Sequence, residues 1–282
     1  MIFSHNEMNV IVVFNIGFKK EKLENDKSSF FDVDGTLLSH SQYAVPLSTR
    51  RSLDKLKAKG IKCIIATGRH MYDLHNLPVK NIKFDAYITL NGQLCFDEQG
   101  NVISGNPIVG SDKKRIIQLF NEKSIPIMLI EKEKMYINFI NHHVELAQKA
   151  ISTELPDIGE YTDSEEIYQA IAYIEKEKET VISGQLPDCK ITRWNDYAAD
   201  IISGTGDKTS GILEYLNLNH IKKEETMAFG DGDNDIEMIK FAHIGVAMGN
   251  ADHEVKENAD FITDSIDHDG IEKALIKFKI ID

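Results

Sequence analysis

The sequence predicts an α/β protein, with a Rossmann-like parallel sheet as its main domain and a smaller α+β domain inserted into it. From Ser28 onward, short apolar runs alternate with helical patterns, as they do in βαβ units. In the middle of the chain the apolar runs come in closely spaced pairs, which favours an antiparallel sheet. We therefore assign residues 28–106 and 206–282 to the parallel-sheet domain and residues 107–205 to the inserted domain.

The parallel-sheet domain is predicted to begin with a strand at 28–33. A helix follows at 47–59, where Gly60 ends it, and the next strand lies at 61–66. Towards the C-terminus the same alternation returns, with strands predicted at 226–230, 244–248 and 260–263, and helices at 234–242, 252–258 and 269–279. Strands that alternate with helices in this way indicate a parallel sheet.

The inserted domain is predicted to start with a helix at 112–123, followed by two apolar runs separated by a charged turn. These runs are 126–131 and 134–140; beyond them we predict helices at 142–153 and 176–185 and strands at 167–175, 189–194 and 197–203. The last two strands flank Asn195-Asp196, a typical turn sequence. Paired strands with intervening helices predict an α+β fold for this part of the chain.

Composition bounds the possible partners. The 282 residues are 42% hydrophobic and carry a net charge of −13, as expected for a globular protein with an acidic surface. Such a charge repels nucleic-acid phosphates and anionic membranes, so we expect neither as a partner. The three cysteines are far apart in sequence and lack metal-binding spacing, which favours a reducing compartment, the cytoplasm.

The first 27 residues fit neither predicted domain. Their longest apolar stretch, Val10 to Phe18, is too short to span a bilayer, and no positive charge precedes it as in a signal peptide. Residues 1–27 are therefore interpreted as an N-terminal extension of unknown role.

The motif FFDVDGTLL, at residues 30–38, places two carboxylates at the end of the first strand. Strand alternation would point Asp32 and Asp34 in the same direction. Two aligned carboxylates suit either a hard cation or a nucleophile paired with an acid/base group. The simpler alternative is a strand that ends in an ordinary Asp-Gly turn.

A second acidic motif, GDGDND at residues 230–235, follows a predicted strand and opens a helix. Its glycines permit close backbone approach, and its three aspartates add further carboxylates at the strand end. The simpler alternative is that Asp233 or Asn234 merely caps the helix.

Two weaker signals lie between these motifs. In ATGR, Thr67 and Gly68 end a strand and offer a hydroxyl and an N–H group to a phosphate oxygen, although the same residues also make ordinary turns. Lys208 opens a helix after a glycine-rich loop. It is either a solvated lysine or a fixed positive charge beside a helix N-terminus.

All four segments are predicted to meet at the carboxyl edge of the parallel sheet, where open α/β sheets bind ligands. The acidic side chains expected there are those of Asp32, Asp34, Asp231 and Asp235. These carboxylates could not all stay ionised without a cation, and Mg²⁺ is the natural choice for oxygen ligands. A bound cation would also let this acidic protein attract an anionic ligand.

These segments resemble the motifs of the haloacid dehalogenase (HAD) superfamily of phosphatases, and specifically its Cof-type branch with a class IIB cap. DVDGTL resembles motif I, Thr67 motif II, Lys208 motif III and GDGDND motif IV. MGNA at 248–251 and ADFIT at 259–263 are also similar to this branch. The inserted α+β domain lies where that branch carries its cap, and the resemblance covers residues 28–282.

The resemblance implies a hydrolase mechanism through a phosphoenzyme. Asp32 would be the nucleophile that forms an aspartyl-phosphate, and Asp34 the general acid and base. Mg²⁺ would be held by the Asp32 carboxylate, the Asp34 backbone carbonyl and Asp231. Residues implied to bind the phosphoryl oxygens are Thr67, Gly68, Lys208 and Asn234. Asp235 would fix Lys208 or a metal-bound water.

The resemblance further implies a small phosphorylated metabolite as substrate, with sugar phosphates as the first choice. Trp194, the only tryptophan, lies near a predicted turn of the inserted domain, either as a face for a sugar ring or simply packed beneath the turn. Two other functions stay open: a phosphomutase that uses the same phosphoenzyme chemistry, and a non-catalytic protein that binds a phosphorylated metabolite.

Overall fold

A computed structural model describes residues 27–151, 153–163 and 165–282. The predicted N-terminal extension therefore lies outside the described residues, apart from Lys27. The described chain forms two β-sheets with helices, and the predicted α/β class is confirmed. Its strands are, in chain order, β1 (Ser28–Phe31), β2 (Lys62–Ala66), β3 (Ala86–Thr89), β4 (Leu94–Asp97), β5 (Val102–Gly105), β6 (Ile127–Ile130), β7 (Met135–Ile137), β8 (Gln169–Ala172), β9 (Cys189–Asn195), β10 (Ala198–Ser203), β11 (Thr226–Gly230), β12 (Ile244–Ala247) and β13 (Phe261–Ile262).

The α-helices of the same residues alternate with these strands. They are α1 (Leu47–Ala58), α2 (Met71–Leu74), α3 (Gly110–Glu122), α4 (His142–Ala150), α5 (Lys176–Ser183), α6 (Lys208–Asn219), α7 (Ile236–Phe241), α8 (His253–Glu257) and α9 (Gly270–Lys277). A single 3₁₀ turn, Asp233–Asp235, precedes α7 and occupies the first part of the helix that the sequence predicted at 234–242. Within the described residues, none of the helices is both long enough and apolar enough to cross a bilayer.

The larger sheet has eight strands in the order β13-β12-β11-β1-β2-β3-β4-β5. Its first six strands are parallel neighbours, whereas β4 and β5 add an antiparallel hairpin at one edge. Neither this hairpin nor β3 was predicted from the sequence. The strand β5 is partly exposed along its whole length and shows no buried apolar run, whereas β3 and β4 are mostly buried but only four residues long.

The central strand β1 is buried on both faces. Because side chains alternate along a strand, Phe30 and Phe31 face opposite layers. Phe31 packs with Leu53 of α1 and Leu275 of α9, whereas Phe30 packs with residues of α6 and α7. Helices on both faces thus fix β1 rigidly, and with it the aspartate that follows Phe31.

The smaller sheet has five strands, all antiparallel, in the order β7-β6-β8-β10-β9. One face packs on α3 and α5, and the other shares an apolar cluster with Leu94 and Phe96 of β4 and with Leu90 in the turn before β4. The chain leaves the larger sheet and returns to it at neighbouring points, where Asn106 Nδ2 lies 3.3 Å from the hydroxyl oxygen of Thr205. The small sheet is therefore held over the edge region that β3 and β4 form.

Candidate active site

The predicted site residues meet at the carboxyl edge of the larger sheet. Asp32 follows β1, Thr67 follows β2, and Asp231 follows β11. These three strands are parallel neighbours with β1 in the centre, so their ends lie side by side. Lys208 is the first residue of α6 and reaches the same edge.

Lys208 joins two aspartates in a buried ionic cluster. Its Nζ donates to Asp32 Oδ1 at 2.7 Å and to Asp235 Oδ1 at 2.6 Å, while its side chain is only 1% exposed. Burial alone would lower the pKa of Lys208, but the two carboxylates raise it above its ordinary value. Lys208 is therefore a fixed, permanently charged cation, and the solvated alternative is wrong.

The Asp32 carboxylate is held in an environment that opposes its charge. Burial and the neighbouring charge of Asp235 raise the pKa of Asp32 well above its ordinary value, and Lys208 counteracts part of that rise. An additional positive charge nearby would therefore strongly stabilise the ionised form of Asp32.

Asp235 also shapes the turn formed by residues 231–235, called the acidic turn below. Its Oδ2 accepts hydrogen bonds from the backbone N–H groups of Asp231 and Gly232, at 2.9 and 3.0 Å. Asp235 therefore binds the free N–H groups of this turn, and the predicted capping by Asp233 or Asn234 is wrong. The reason is that the first turn is 3₁₀, which lets a carboxylate three residues on reach back.

Asp231 is held in place by two side chains, one from the loop of the DVDGTL motif and one from Asn250. Thr36 donates its hydroxyl to Asp231 Oδ1 at 2.7 Å, and Asn250 donates its amide to Oδ2 at 3.1 Å. Gly35 has a φ of +77°, and a Cβ there would lie 2.1 Å from Asp231 Oδ2. Glycine is thus required both for its backbone conformation and for this close approach.

The residues around Asp32 suit a hard cation. Oxygen atoms of Asp32, Asp231 and Asp235 lie within 4.8 Å of one another. Burial, and then the charge of Asp235, raise the pKa of Asp231 to about 7. Asp235 already accepts three N–H bonds, one of them from the charged Lys208. Asp231 accepts two bonds, both from neutral side chains. Asp32 and Asp231 are therefore the carboxylates better suited to bind Mg²⁺.

The Asp34 carboxylate does not join this acidic cluster. Arg69 binds it through two hydrogen bonds, from Nε to Oδ2 at 2.6 Å and from the terminal nitrogen to Oδ1 at 2.8 Å. His40 Nε2 lies 3.6 Å from the same carboxylate. Asp34 is thereby paired with Arg69 on the partly exposed side of the site. Arg69 was not among the predicted site residues, although it is the last residue of ATGR.

The loop of Thr67 and Gly68 is held by a second loop that the sequence analysis also missed. Asn91 donates its backbone N–H to the carbonyl of Thr67 at 3.0 Å. A Cβ on Gly68 would lie 3.1 Å from Asn91 Oδ1, so the loops are in close contact. The dipeptide Asn-Gly at 91–92, directly after an apolar run, is the turn signal that could have identified this loop.

Asn234 does not stand alone at the site. Its Nδ2 donates to Asn91 Oδ1 at 2.9 Å, and Asn91 Nδ2 donates to Asp200 Oδ2 on β10 at 3.0 Å. The indole N–H of Trp194 donates to the other oxygen of Asp200 at 2.9 Å. Trp194 is partly buried against the apolar cluster between the two sheets, so its indole N–H is committed to a protein partner.

Comparison with known proteins identifies the family. The family model described as haloacid dehalogenase-like hydrolase matches residues 29–275. The chain belongs to this family. The resemblance predicted from the sequence, to a HAD phosphatase with a class IIB cap, is confirmed by its relatives.

Three relatives span nearly the same length as this family member. YkrA of Bacillus subtilis is 31% identical over 254 residues, which cover 89% of the chain and 97% of YkrA. BT1666 from Bacteroides thetaiotaomicron, described among HAD phosphatases, is 35% identical with a TM-score of 0.84, covering 90% of the chain and 96% of BT1666. BT4131, described as a HAD subclass IIB sugar phosphatase, is 36% identical with a TM-score of 0.80. The match covers 90% of the chain and 100% of BT4131.

Proposed function

We propose that this HAD phosphatase hydrolyses small phosphorylated metabolites in a magnesium-dependent reaction, through an aspartyl-phosphate on Asp32. The observation that carries the proposal is the buried Asp32 carboxylate, bound on one oxygen by Lys208 and lying next to Asp231. A nucleophile, a fixed cation and a second carboxylate at one sheet edge are what phosphoryl transfer to a carboxylate requires.

Each residue has a defined task in this mechanism. One oxygen of Asp32 attacks phosphorus in line, while Lys208 stabilises the negative charge that develops on the phosphoryl group. Asp34, oriented by Arg69, protonates the leaving oxygen and then takes a proton from the water that hydrolyses the aspartyl-phosphate. The residues proposed to bind the phosphoryl oxygens are Thr67, Gly68, Lys208 and Asn234.

The metal site is proposed to consist of the Asp32 and Asp231 carboxylates and the Asp34 backbone carbonyl. Mg²⁺ bound there would neutralise charge on the phosphoryl group. Asp235 is proposed to fix Lys208 and the acidic turn, in keeping with the hydrogen bonds that occupy both of its oxygens.

The proposed substrates are sugar phosphates. This follows from the likeness to BT4131, which is described as a sugar phosphatase, and from the α+β domain proposed at 107–205. The residues proposed to bind the phosphoryl group belong to the parallel-sheet domain and contact what every monoester shares. Discrimination among leaving groups would therefore fall to the inserted domain.

The proposed function is tested by steady-state release of inorganic phosphate from a panel of sugar phosphates and other phosphorylated metabolites. We expect sustained turnover with at least one sugar phosphate, without a bisphosphate activator. Isomerised sugar phosphate with little released phosphate would instead indicate a phosphomutase. Binding of the panel without turnover would indicate a non-catalytic sensor.

Metal dependence gives a separate prediction. Removal of divalent cations with EDTA should lower activity by about 100-fold or more, and added Mg²⁺ should restore it, because Asp32 and Asp231 need a counter-charge. Ca²⁺ should bind but support turnover poorly, since its looser coordination misplaces the reacting groups. Mg²⁺ should also raise the Tm of the wild-type protein, and Asp231→Asn should abolish that rise. Full activity in metal-free buffer would contradict the metal site.

Substitution of Trp194 tests the role of the inserted domain. Trp194→Ala should change the ratios of kcat/KM among sugar phosphates by roughly 10-fold, while hydrolysis of p-nitrophenyl phosphate changes little, because a minimal aryl ester offers no sugar to recognise. Trp194→Phe keeps an aromatic face but loses the N–H bond to Asp200, so it separates loss of the ring from loss of that bond. If both variants slow all substrates by one common factor, the inserted domain does not select the substrate through this residue.

A further inference from the structure

The buried Leu90-Asn91-Gly92 turn, between β3 and β4, has an unusual backbone. All three residues have positive φ angles, +52°, +54° and +87°, and Leu90 is fully buried. A left-handed conformation is unfavourable for leucine and persists only where surrounding contacts impose it.

Those contacts come from both sides of the site. Leu90 and Asn91 donate their backbone N–H groups to the carbonyls of Arg69 and Thr67, at 3.1 and 3.0 Å. A Cβ on Gly92 would lie 1.9 Å from the carbonyl oxygen of Asp207, the residue before Lys208. The turn therefore places the Asn91 side chain at a fixed position between the acidic turn and the small sheet.

Hydrogen bonds link Asp200, Asn91 and Asn234 in a chain, and Asp200 sets which atoms donate and which accept along it. Asp200 accepts two N–H bonds, from Trp194 and Asn91, and an ionised carboxylate can only accept. The Asn91 amide must therefore point its Nδ2 at Asp200 and its Oδ1 towards Asn234.

The orientation of the Asn91 amide in turn fixes that of the Asn234 amide. Because Asn91 presents an oxygen, Asn234 must turn its own Nδ2 towards it, and the bond of 2.9 Å uses only one of the two N–H groups of that nitrogen. Within the described residues, no acceptor binds the other N–H. The Asn234 oxygen lies on the opposite side, 2.8 Å from where a Cβ on Gly232 would be.

We propose that Asp200 is a positioning residue for phosphate binding: through Asn91, it fixes the orientation of the Asn234 amide, so that this amide offers an N–H donor to the phosphoryl group. Since Asp200 lies on β10 of the small sheet, the donor is oriented only while that sheet is docked on the larger one. The inference rests on the proposed phosphatase function, because it assigns Asn234 to the phosphoryl site.

Burial disfavours the charge of the Asp200 carboxylate, and its two hydrogen bonds offset part of that cost. Burial raises the pKa of Asp200 to about 7, and the N–H groups of Trp194 and Asn91 act against that rise by favouring the ionised form. At pH 8, above this pKa, the ionised form that accepts both bonds predominates.

The test replaces the carboxylate by its amide isostere. In Asp200→Asn a single oxygen faces two N–H donors, so the Asn91 and Asn234 amides lose their fixed polarity. With p-nitrophenyl phosphate at pH 8, we expect kcat/KM to fall by about 10-fold, mainly through KM, and inorganic phosphate to bind more weakly by a similar factor. The Tm should change by only a few degrees.

A second substitution should restore the phosphate binding lost in Asp200→Asn. No such rescue is expected if Asp200 only stabilises the fold. Trp194→Phe removes the competing donor, so in the double variant Asp200→Asn/Trp194→Phe the amide oxygen is free to accept from Asn91. We expect the double variant to recover to within about threefold of Trp194→Phe alone.

An unchanged KM and unchanged phosphate affinity in Asp200→Asn would overturn the proposal, as would a defect that Trp194→Phe leaves unrelieved. Calorimetric binding of inorganic phosphate in the presence of Mg²⁺ separates this from the proposed function. A wild-type protein that binds phosphate but hydrolyses no monoester refutes the phosphatase reaction, while the variants still decide the role of Asp200.

Discussion

Asp32→Asn is expected to lower phosphatase activity by roughly 10⁵-fold or more, because an amide cannot act as the nucleophile and the reaction has no alternative route. The fold should survive. The change replaces a carboxylate whose charge burial disfavours by a neutral group of the same shape, and Lys208 keeps its contact with Asp235. The measurement is the rate of phosphate release together with the Tm.

Asp233→Asn is the matched control for this variant. Asp233 belongs to the acidic motif but is exposed to solvent, and Asp235 rather than Asp233 binds the N–H groups of its turn. The same chemical change there should leave activity within about twofold of the wild type. Labelled phosphate trapped on the wild-type protein, but not on Asp32→Asn, would identify the phosphoenzyme. Substantial turnover by Asp32→Asn would refute the mechanism.

Lys208→Met is expected to damage both activity and stability. The side chain is fully enclosed and is bound to Asp32 and Asp235, so its removal leaves two buried carboxylates without their cation. Breaking a buried ion pair by removing one partner typically costs about 3–5 kcal/mol of unfolding free energy. Loss of the charge opposite the phosphoryl group should also lower kcat by roughly 10³-fold.

Lys240→Met provides the comparison. Lys240 is half exposed and forms a surface pair with Glu237, at 3.4 Å. A surface pair of this kind contributes less than about 1 kcal/mol, so chemical denaturation should show little change. If Lys208→Met unfolds at the same denaturant concentration as Lys240→Met, the buried cluster does not stabilise the fold as we infer.

The sequence was sufficient to predict residues whose position follows from local structure. Asp32 and Asp231 end apolar strands, and Lys208 begins a helix after a glycine-rich loop. In a parallel sheet those ends meet at one edge, so their proximity could be derived without any knowledge of tertiary contacts.

The sequence was not sufficient for residues that act through distant partners. The Asn91–Asn234 bond spans 143 positions and the Asn91–Asp200 bond spans 109. Neither follows from periodicity, because each depends on how the small sheet docks. Asp200 lies inside the apolar strand β10, where the pattern predicts only a core position. In the edge hairpin, β5 was not predicted because it is partly exposed and shows no clear alternation of apolar and polar residues.

The contact between Asn106 and Thr205 has a consequence for how such a protein can change over time. Two segments that touch can be joined by a very short peptide, so everything between them is topologically a removable module. Recombination could exchange that module for another of different size without breaking a strand of the parent sheet. Any replacement would inherit the hydrolytic centre intact, yet it would have to supply its own acceptor opposite Asn91.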